Sequence, residues 1–498
     1  MITEVRMKLF KKALSVLALL FVVFAMTGCT QILGKLLNKG AEELEEQKNN
    51  TPDPESPSIT SEDEGYSFMV HYGAPYTLTI KAEVGDSGVL SYQWYSSSTD
   101  KRENATAFEG TTDTEKIAAK TRILATVAPT APAKDGEVTY YWCKVTNTNL
   151  KTGKTKDNWS ERYAVTVSNI ERVHGYIESN TTWNSLYTYY IDGWLTVDKS
   201  LVIPAGTVVK CGKDADIVTT GTGTIAVGGT KDYPVYFTSY LDESVGIKIP
   251  EFIGSSTKAA KGDWKGIRID GAQGSTFAYT TFRYSNEYAL KLNKKANVAN
   301  CVFVSNKSDD SYSAALMIDA DAKDSTVINN VFYNNDWPLT CSKNYTVDTS
   351  NSFHDPADVT VKNKYQAIVL KGGSYIESAR TVDWKVTELP YFFVDSWFTV
   401  TNGTLNIGDA THNVIVKFTA DAEINEEQKG KITLGVGSIL TSWKDDAHGG
   451  DIEANGQPVA PDWGDWGGIR LYDGDWNNAI NKDTNRVLYN DKSKYEQD

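Results

Sequence analysis

The densest run of groups able to do chemistry is Lys444-Asp-Asp-Ala-His-Gly-Gly-Asp451, with three carboxylates and a flexible Gly-Gly pair. A hard cation takes about six to eight oxygen ligands. Asp445, Asp446 and Asp451 are therefore the candidate metal ligands, and calcium is the candidate cofactor. The related stretch Leu241-Asp-Glu-Ser-Val-Gly246 has no counterpart of Asp451. A second acidic pair is Asp309-Asp310. Neighbouring residues of a strand point to opposite faces, so that pair works together only in a turn. Arg268 and Arg470 each follow a Gly-Asp-Trp segment and are expected on an outer face as structural or surface groups. No Ser-His-Asp order, metalloprotease helix or phosphate loop occurs, and no residue is assigned a catalytic role.

The elements that must position these groups are β. Of the 498 residues 40% are hydrophobic and 11% aromatic, with 27 Tyr and 13 Trp. Thr, Val, Asn and Gly fill the spaces between, a mix that suits strands and turns. Lys and Arg total 50 against 64 Asp and Glu, a formal charge of −14. With no basic tract, nucleic acid is excluded as a partner. Cys143, Cys211, Cys301 and Cys341 are scattered and are expected as small buried apolar residues.

Residues 1–28 are read as a targeting segment. Lys8, Lys11 and Lys12 precede an apolar run from Ala13 to Met26, shorter than the roughly 20 residues of a stable membrane span. The run ends Met26-Thr-Gly-Cys29, which resembles the bacterial lipobox. That resemblance implies lipidation of Cys29 and anchoring to a membrane, with the bacterial envelope, and its outer membrane, as the expected location. Residues 29–65, acidic and containing Pro, are expected to form a solvated tether.

Within 66–168, Leu78, Ile80, Ala82 and Val84 alternate with polar residues, as do Leu90 to Tyr95 and Val138 to Val145, the pattern of half-buried strands. This part resembles the immunoglobulin-like sandwiches. The resemblance implies Trp94 as the core tryptophan and Tyr141, two residues before Cys143, at the tyrosine-corner spacing. Ala82 stands where the family's partner cysteine is expected, so no inter-sheet disulfide is expected.

Residues 170–498 contain a duplication over about 175–272 and 374–473. Gly175-Tyr-Ile-Glu-Ser179 returns as Ser374-Tyr-Ile-Glu-Ser378, and Tyr190-Ile-Asp-Gly-Trp-Leu-Thr-Val197 as Phe393-Val-Asp-Ser-Trp-Phe-Thr-Val400. Val208-Val-Lys-Cys211 returns as Ile415-Val-Lys-Phe418, and Gly262-Asp-Trp-Lys-Gly-Ile-Arg268 as Gly464-Asp-Trp-Gly-Gly-Ile-Arg470. Inside it runs a shorter phrase, seen in Val298-Ala-Asn-Cys-Val-Phe-Val-Ser-Asn306 and Val327-Ile-Asn-Asn-Val-Phe-Tyr-Asn-Asn335. Periods of this size mean a solenoid, and the short strands with Asn/Gly/Asp turns make each coil β. The segment resembles the right-handed parallel β-helix family, in whose secreted bacterial members Gly-Asp-Trp-x-Gly-Ile is frequent. The expected fold is thus all-β, an immunoglobulin-like sandwich followed by a right-handed parallel β-helix of about 13 coils at ~4.8 Å rise. Phe282, Phe303 and Phe332 are expected to stack, Ile267 and Ile469 to point inward, and Asn300 and Asn329 to bond across coils.

Two function classes follow. The first is a lipid-anchored cell-surface or envelope protein that binds a glycan or protein ligand or acts as a spacer, without catalysis. The alternative, which the β-helix resemblance implies, is a polysaccharide-active enzyme, a lyase or glycoside hydrolase.

Overall fold

The structure, a computed structural model, describes residues 39, 41–43, 46, 52–61, 67–130, 135–308, 312–377, 379–394, 397–420, 422–452, 454, 456, 459–471, 475 and 478–494. The chain forms two compact units that divide after Ser168.

Among the described residues the first unit carries the strands β1 (Ser58–Ser61), β2 (Ser67–Val70), β3 (Pro75–Glu83), β4 (Val89–Ser97), β5 (Thr106–Ala107), β6 (Ile123–Val127), β7 (Glu137–Thr148), β8 (Thr155–Trp159) and β9 (Tyr163–Val167). One sheet has the order β1-β3-β6. The other runs β2-β9-β7-β4-β5, with β8 also on β7. The β2–β9 pair is parallel and the rest are antiparallel. Alternation aims Leu78, Ile80, Leu124, Trp94, Cys143, Val145 and Val165 into one core. Trp94 is wholly buried, and its Nε1 donates to the Thr121 carbonyl at 2.9 Å. Tyr141 shares a hydroxyl–hydroxyl bond of 2.8 Å with Tyr76, whereas the tyrosine that bonds to main chain here is Tyr163, donating to Thr79 O at 2.7 Å.

The tether expected through residue 65 ends earlier. Ser58–Ser61 pairs with the edge of β3, and Ile59 packs on the core. Asn147 Nδ2 donates to Glu55 O at 3.0 Å and Asn158 Nδ2 to Pro57 O at 2.9 Å, which fastens the approach to β1. An acidic, Pro-containing composition concealed a four-residue strand, because an open edge needs only a backbone to pair with.

The second unit is a parallel β-helix. Val208–Cys211, Asp216–Thr219 and Thr224–Gly228 form one coil, and each pairs in parallel with its counterpart in the next: Val235–Ser239, Gly266–Ile269 and Ser275–Ala278. The longest ladder climbs in parallel from Thr188–Val197 to Ile439–Ser442 through ten strands, with Ile170–Ile177 beneath, so it has eleven levels. The expected thirteen is too many because residues 240–262, 354–362 and 443–452 leave the coil path between ladder strands. One of these excursions holds an antiparallel hairpin, His354–Asp355 with Asp358–Lys362.

Like stacks on like inside. Phe237, Phe282, Phe303, Phe332 and Phe353 form a ring stack with centroid spacings of 5.6, 4.8, 4.8 and 5.4 Å. Ile267 and Ile469 are wholly buried, as are Trp264 and Trp466. The motif's second glycine has a local cause. Gly266 and Gly468 both have positive φ, +154° and +90°, and a Cβ on Gly266 would sit 2.2 Å from the Tyr288 carbonyl oxygen. The asparagine ladder lies one residue beyond the expected positions. Asn300 and Asn329 take left-handed φ of 57° and 55° and turn the chain. The residue that follows such a turn points inward, so the bonds run through Asn330 to Asn351 and through Asn306, Asn335 and Asn363.

The two copies are not stacked face on face. Tyr391–Phe393 is the counterpart of the first half of Thr188–Val197. It climbs instead on the ladder of the second half, through Ile368–Leu370, Leu339–Cys341 and Leu316–Ile318 down to Asp216–Thr219. Trp397–Val400 and its stacked neighbours Tyr375–Ile376, Glu423–Glu426 and Gly468–Arg470 form a separate sheet.

Candidate functional site

Charged groups converge in two places, and the duplication repeats both. The first lies beneath the excursions 240–262 and 443–452. Lys210 and Lys417 occupy outward positions of Val208–Cys211 and Ile415–Phe418, yet both are wholly buried. Lys210 Nζ donates to Asp242 O at 2.6 Å; Lys417 Nζ donates to Asp445 O at 2.8 Å and Gly450 O at 2.6 Å. Thr238 Oγ1 donates to Asp242 at 2.5 Å and Thr441 Oγ1 to Asp445 at 2.6 Å. Ser239 and Ser442 donate to Asp263 and Asp465 at 2.6 and 2.7 Å. Trp264 and Trp466 close each copy by donating Nε1 to Arg283 O and Leu488 O, both at 2.8 Å. Arg283 pairs with Asp242 in the first copy, and His448 Nδ1 lies 2.7 Å from Asp445 in the second.

This geometry lends the expected calcium site no support. Among the described residues no three His, Cys, Asp or Glu are grouped to hold a metal ion. Asp445 is 2% exposed, and its oxygens serve Thr441, His448 and the Ala447 amide. The cation that the acidic loop surrounds is the Lys417 ammonium. Burial lowers its pKa, and the charges of Asp446, Asp445 and Asp451 oppose that shift. The donors therefore do not fit Ca²⁺, which would have to displace an ammonium already held by two carbonyls. Cys29, Asp309 and Asp310 lie outside the described residues.

Lys210 was not legible as a special residue. Burial pushes its pKa down to about 8, against the pull of Asp242. A lysine charged below about 8 when folded but below 10.5 when unfolded makes the folded state bind fewer protons between those values. Stability then rises with pH across that window. The wild-type melting temperature should climb relative to Lys210→Met between pH 7.5 and 9.5; a constant difference in a paired thermal series would refute this.

The second place is an exposed outer file. Tyr176, 63% exposed, meets Trp194, 49% exposed, edge to face at a centroid distance of 4.9 Å. Tyr375 and Trp397, 44% and 39% exposed, make the same contact at 5.1 Å. Strand register then places matching files above each pair, with a carboxylate, a glycine and an arginine at the same levels and Val218 of the first copy replaced by Asn425 in the second. In the first copy Tyr176, Thr196, Val218 and Arg268 form one file, beside Trp194, Asp216 and Gly266. In the second, Tyr375, Thr399, Asn425 and Arg470 stand beside Trp397, Glu423 and Gly468. Lys265 sits 3.3 Å from Asp216, and Lys494 3.4 Å from Glu423. Arg268 bonds Asp270 at 2.5 Å; Arg470 Nε donates to Asn425 at 2.9 Å. Each patch is thus a pair of aromatic rings, then a carboxylate, then a guanidinium, over about 14 Å of wall at ~4.8 Å per coil. Large exposed rings beside a few placed polar groups are the composition of a binding surface. The sequence held the signal in the repeated Tyr-Ile-Glu-Ser and Trp-x-Thr-Val phrases, but only coiling brings Trp194 beside Tyr176 and Arg268 above them.

No known protein family and no curated protein matches the chain. The solved structures similar to it include two pectate lyases. Pectate lyase PelI from Erwinia chrysanthemi, in complex with tetragalacturonic acid, is 12% identical over 78% of this chain and 100% of its own, with a TM-score of 0.17. Pectate lyase Pel3 from Pectobacterium carotovorum is 9% identical over 78% of this chain and 100% of its own, with a TM-score of 0.18. At those values no residue role carries over, and the fold rests on the strand pairing above.

Proposed function

We propose that this chain is a lipid-anchored envelope protein whose solenoid binds neutral glycan without cleaving it. The observation that carries the reading is the Tyr–Trp–carboxylate–arginine patch, present twice in the same register. A pyranose ring offers an apolar C–H face for the aromatic rings and hydroxyls for the acid and the guanidinium. Charge favours a neutral sugar over a polyanion. The whole chain is −14, and each patch pairs its acid with a lysine. The Lys210–Asp242 cluster is closed to any substrate, with Lys210 0% and Asp242 4% exposed.

The test is binding of the full-length protein to a panel of neutral hexasaccharides, with released reducing ends measured alongside. Trp194→Ala and Trp397→Ala should each weaken their own site roughly tenfold, about 1.4 kcal/mol. Binding unchanged in the double variant would sink the reading, and new reducing ends would favour a glycoside hydrolase instead.

The location rests on the segment ending at Cys29. Among the described residues no helix is long and apolar enough to cross a membrane. Cys29→Ser should release the protein from membranes or leave the precursor uncleaved, read by fractionation and intact mass; normal processing and retention would refute the anchor. The first unit is proposed as an immunoglobulin-like spacer. The parallel β2–β9 pair, the β1-β3-β6 sheet and the buried Trp94 support this.

A further inference from the structure

We infer that the two patches engage two separate glycan chains, so that one protein molecule cross-links them. This rests on the glycan reading above. The argument is topological. The outward file that begins at Tyr176 continues up a single ladder through Thr196, Val218, Arg268, Lys291 and Met317. These residues are exposed or half-exposed. The same file then reaches Thr340, Val369, Phe392, Lys417 and Thr441, and each of those is buried, at 4, 0, 4, 0 and 0% exposure. Trp337, Ile452 and Trp443 pack over this stretch with Val369 and Phe392. A glycan lying on the first patch along the solenoid therefore meets a filled wall before it reaches the level of the second.

The second patch is not on that wall. Its strands, Tyr375–Ile376, Trp397–Val400, Glu423–Glu426 and Gly468–Arg470, pair only with one another, while the strands preceding them in each coil occupy the first patch's ladder. The second patch thus lies one strand further around the coil. Tyr375 stands seven levels above Tyr176 in that stack, about 34 Å at ~4.8 Å per level. Two equivalent sites, separated along the axis and turned to different faces with a ridge on the direct path, suit two partners rather than one.

The experiment uses the full-length protein in mild detergent and the neutral hexasaccharide that binds best in the panel. Calorimetry should give two hexasaccharides per protein, and one for either Trp194→Ala or Trp397→Ala. Beads carrying the hexasaccharide should hold the wild type, which then captures a fluorescent copy of it. Both single variants should stay on the beads and capture none. One site per wild-type chain, loss of all binding in a single variant, or undiminished capture by both variants would overturn the cross-linking inference. No binding of any panel member by the wild type would overturn the glycan reading, and the cross-linking inference with it.

Discussion

Trp466→Ala lowers the stability of the solenoid by about 3–5 kcal/mol, and Trp264→Ala by a similar amount, the range for removing a large buried aromatic. Both indoles are wholly buried. Trp466 stacks on Phe418 at a centroid distance of 4.1 Å and an interplanar angle of 6°. Its Nε1 also ties Leu488 O, and that of Trp264 ties Arg283 O. Truncation therefore opens a cavity and leaves a carbonyl without its donor. In a solenoid each coil contacts only its neighbours, so the damage should be local. Hydrogen exchange should show protection lost around residues 238–285 in the first variant and 415–490 in the second. Denaturation showing a cost below about 1 kcal/mol would mean that the Gly-Asp-Trp segments do not hold the coil closed.

Asn335→Ala is the second large effect. The Asn335 side chain accepts from Asn306 N at 3.0 Å and Asn306 Nδ2 at 2.8 Å, and donates to Phe303 O at 2.8 Å and Asn363 Oδ1 at 3.0 Å. It is wholly buried, so water cannot replace those partners. Each orphaned group costs about 1–3 kcal/mol. Several orphans within one ladder bring the expected loss to about 3–5 kcal/mol, short of full additivity. Asn329→Ala is the control. It loses a side chain from a left-handed turn with φ of 55°, at a cost of about 1–2 kcal/mol. Equal midpoints for the two variants in urea would refute the ladder.

The solenoid and its duplication were legible in the residues alone. Inward positions of successive coils must accept the same side chain, so Phe282, Phe303 and Phe332 recur at one point of one phrase and stack. Ile267 and Ile469 recur for the same reason. The asparagine ladder was legible to within one residue; a left-handed turn shifts which asparagine faces inward, and a string of letters does not mark that turn. Burial of Lys210 and Lys417 belongs to the tertiary structure alone. Each sits at an outward strand position, where local alternation predicts a solvated side chain, and is covered by a segment that starts about thirty residues later in the chain. For the same reason the acidic loop read as a cation site without its cation, which proved to be Lys417. The outer patch divides along this line too. Its residue types were visible as repeated phrases, but Tyr176 and Arg268 are 92 positions apart. They share one file because parallel stacking converts a long sequence separation into a few coil rises, whose register depends on how many residues each excursion removes from the coil path.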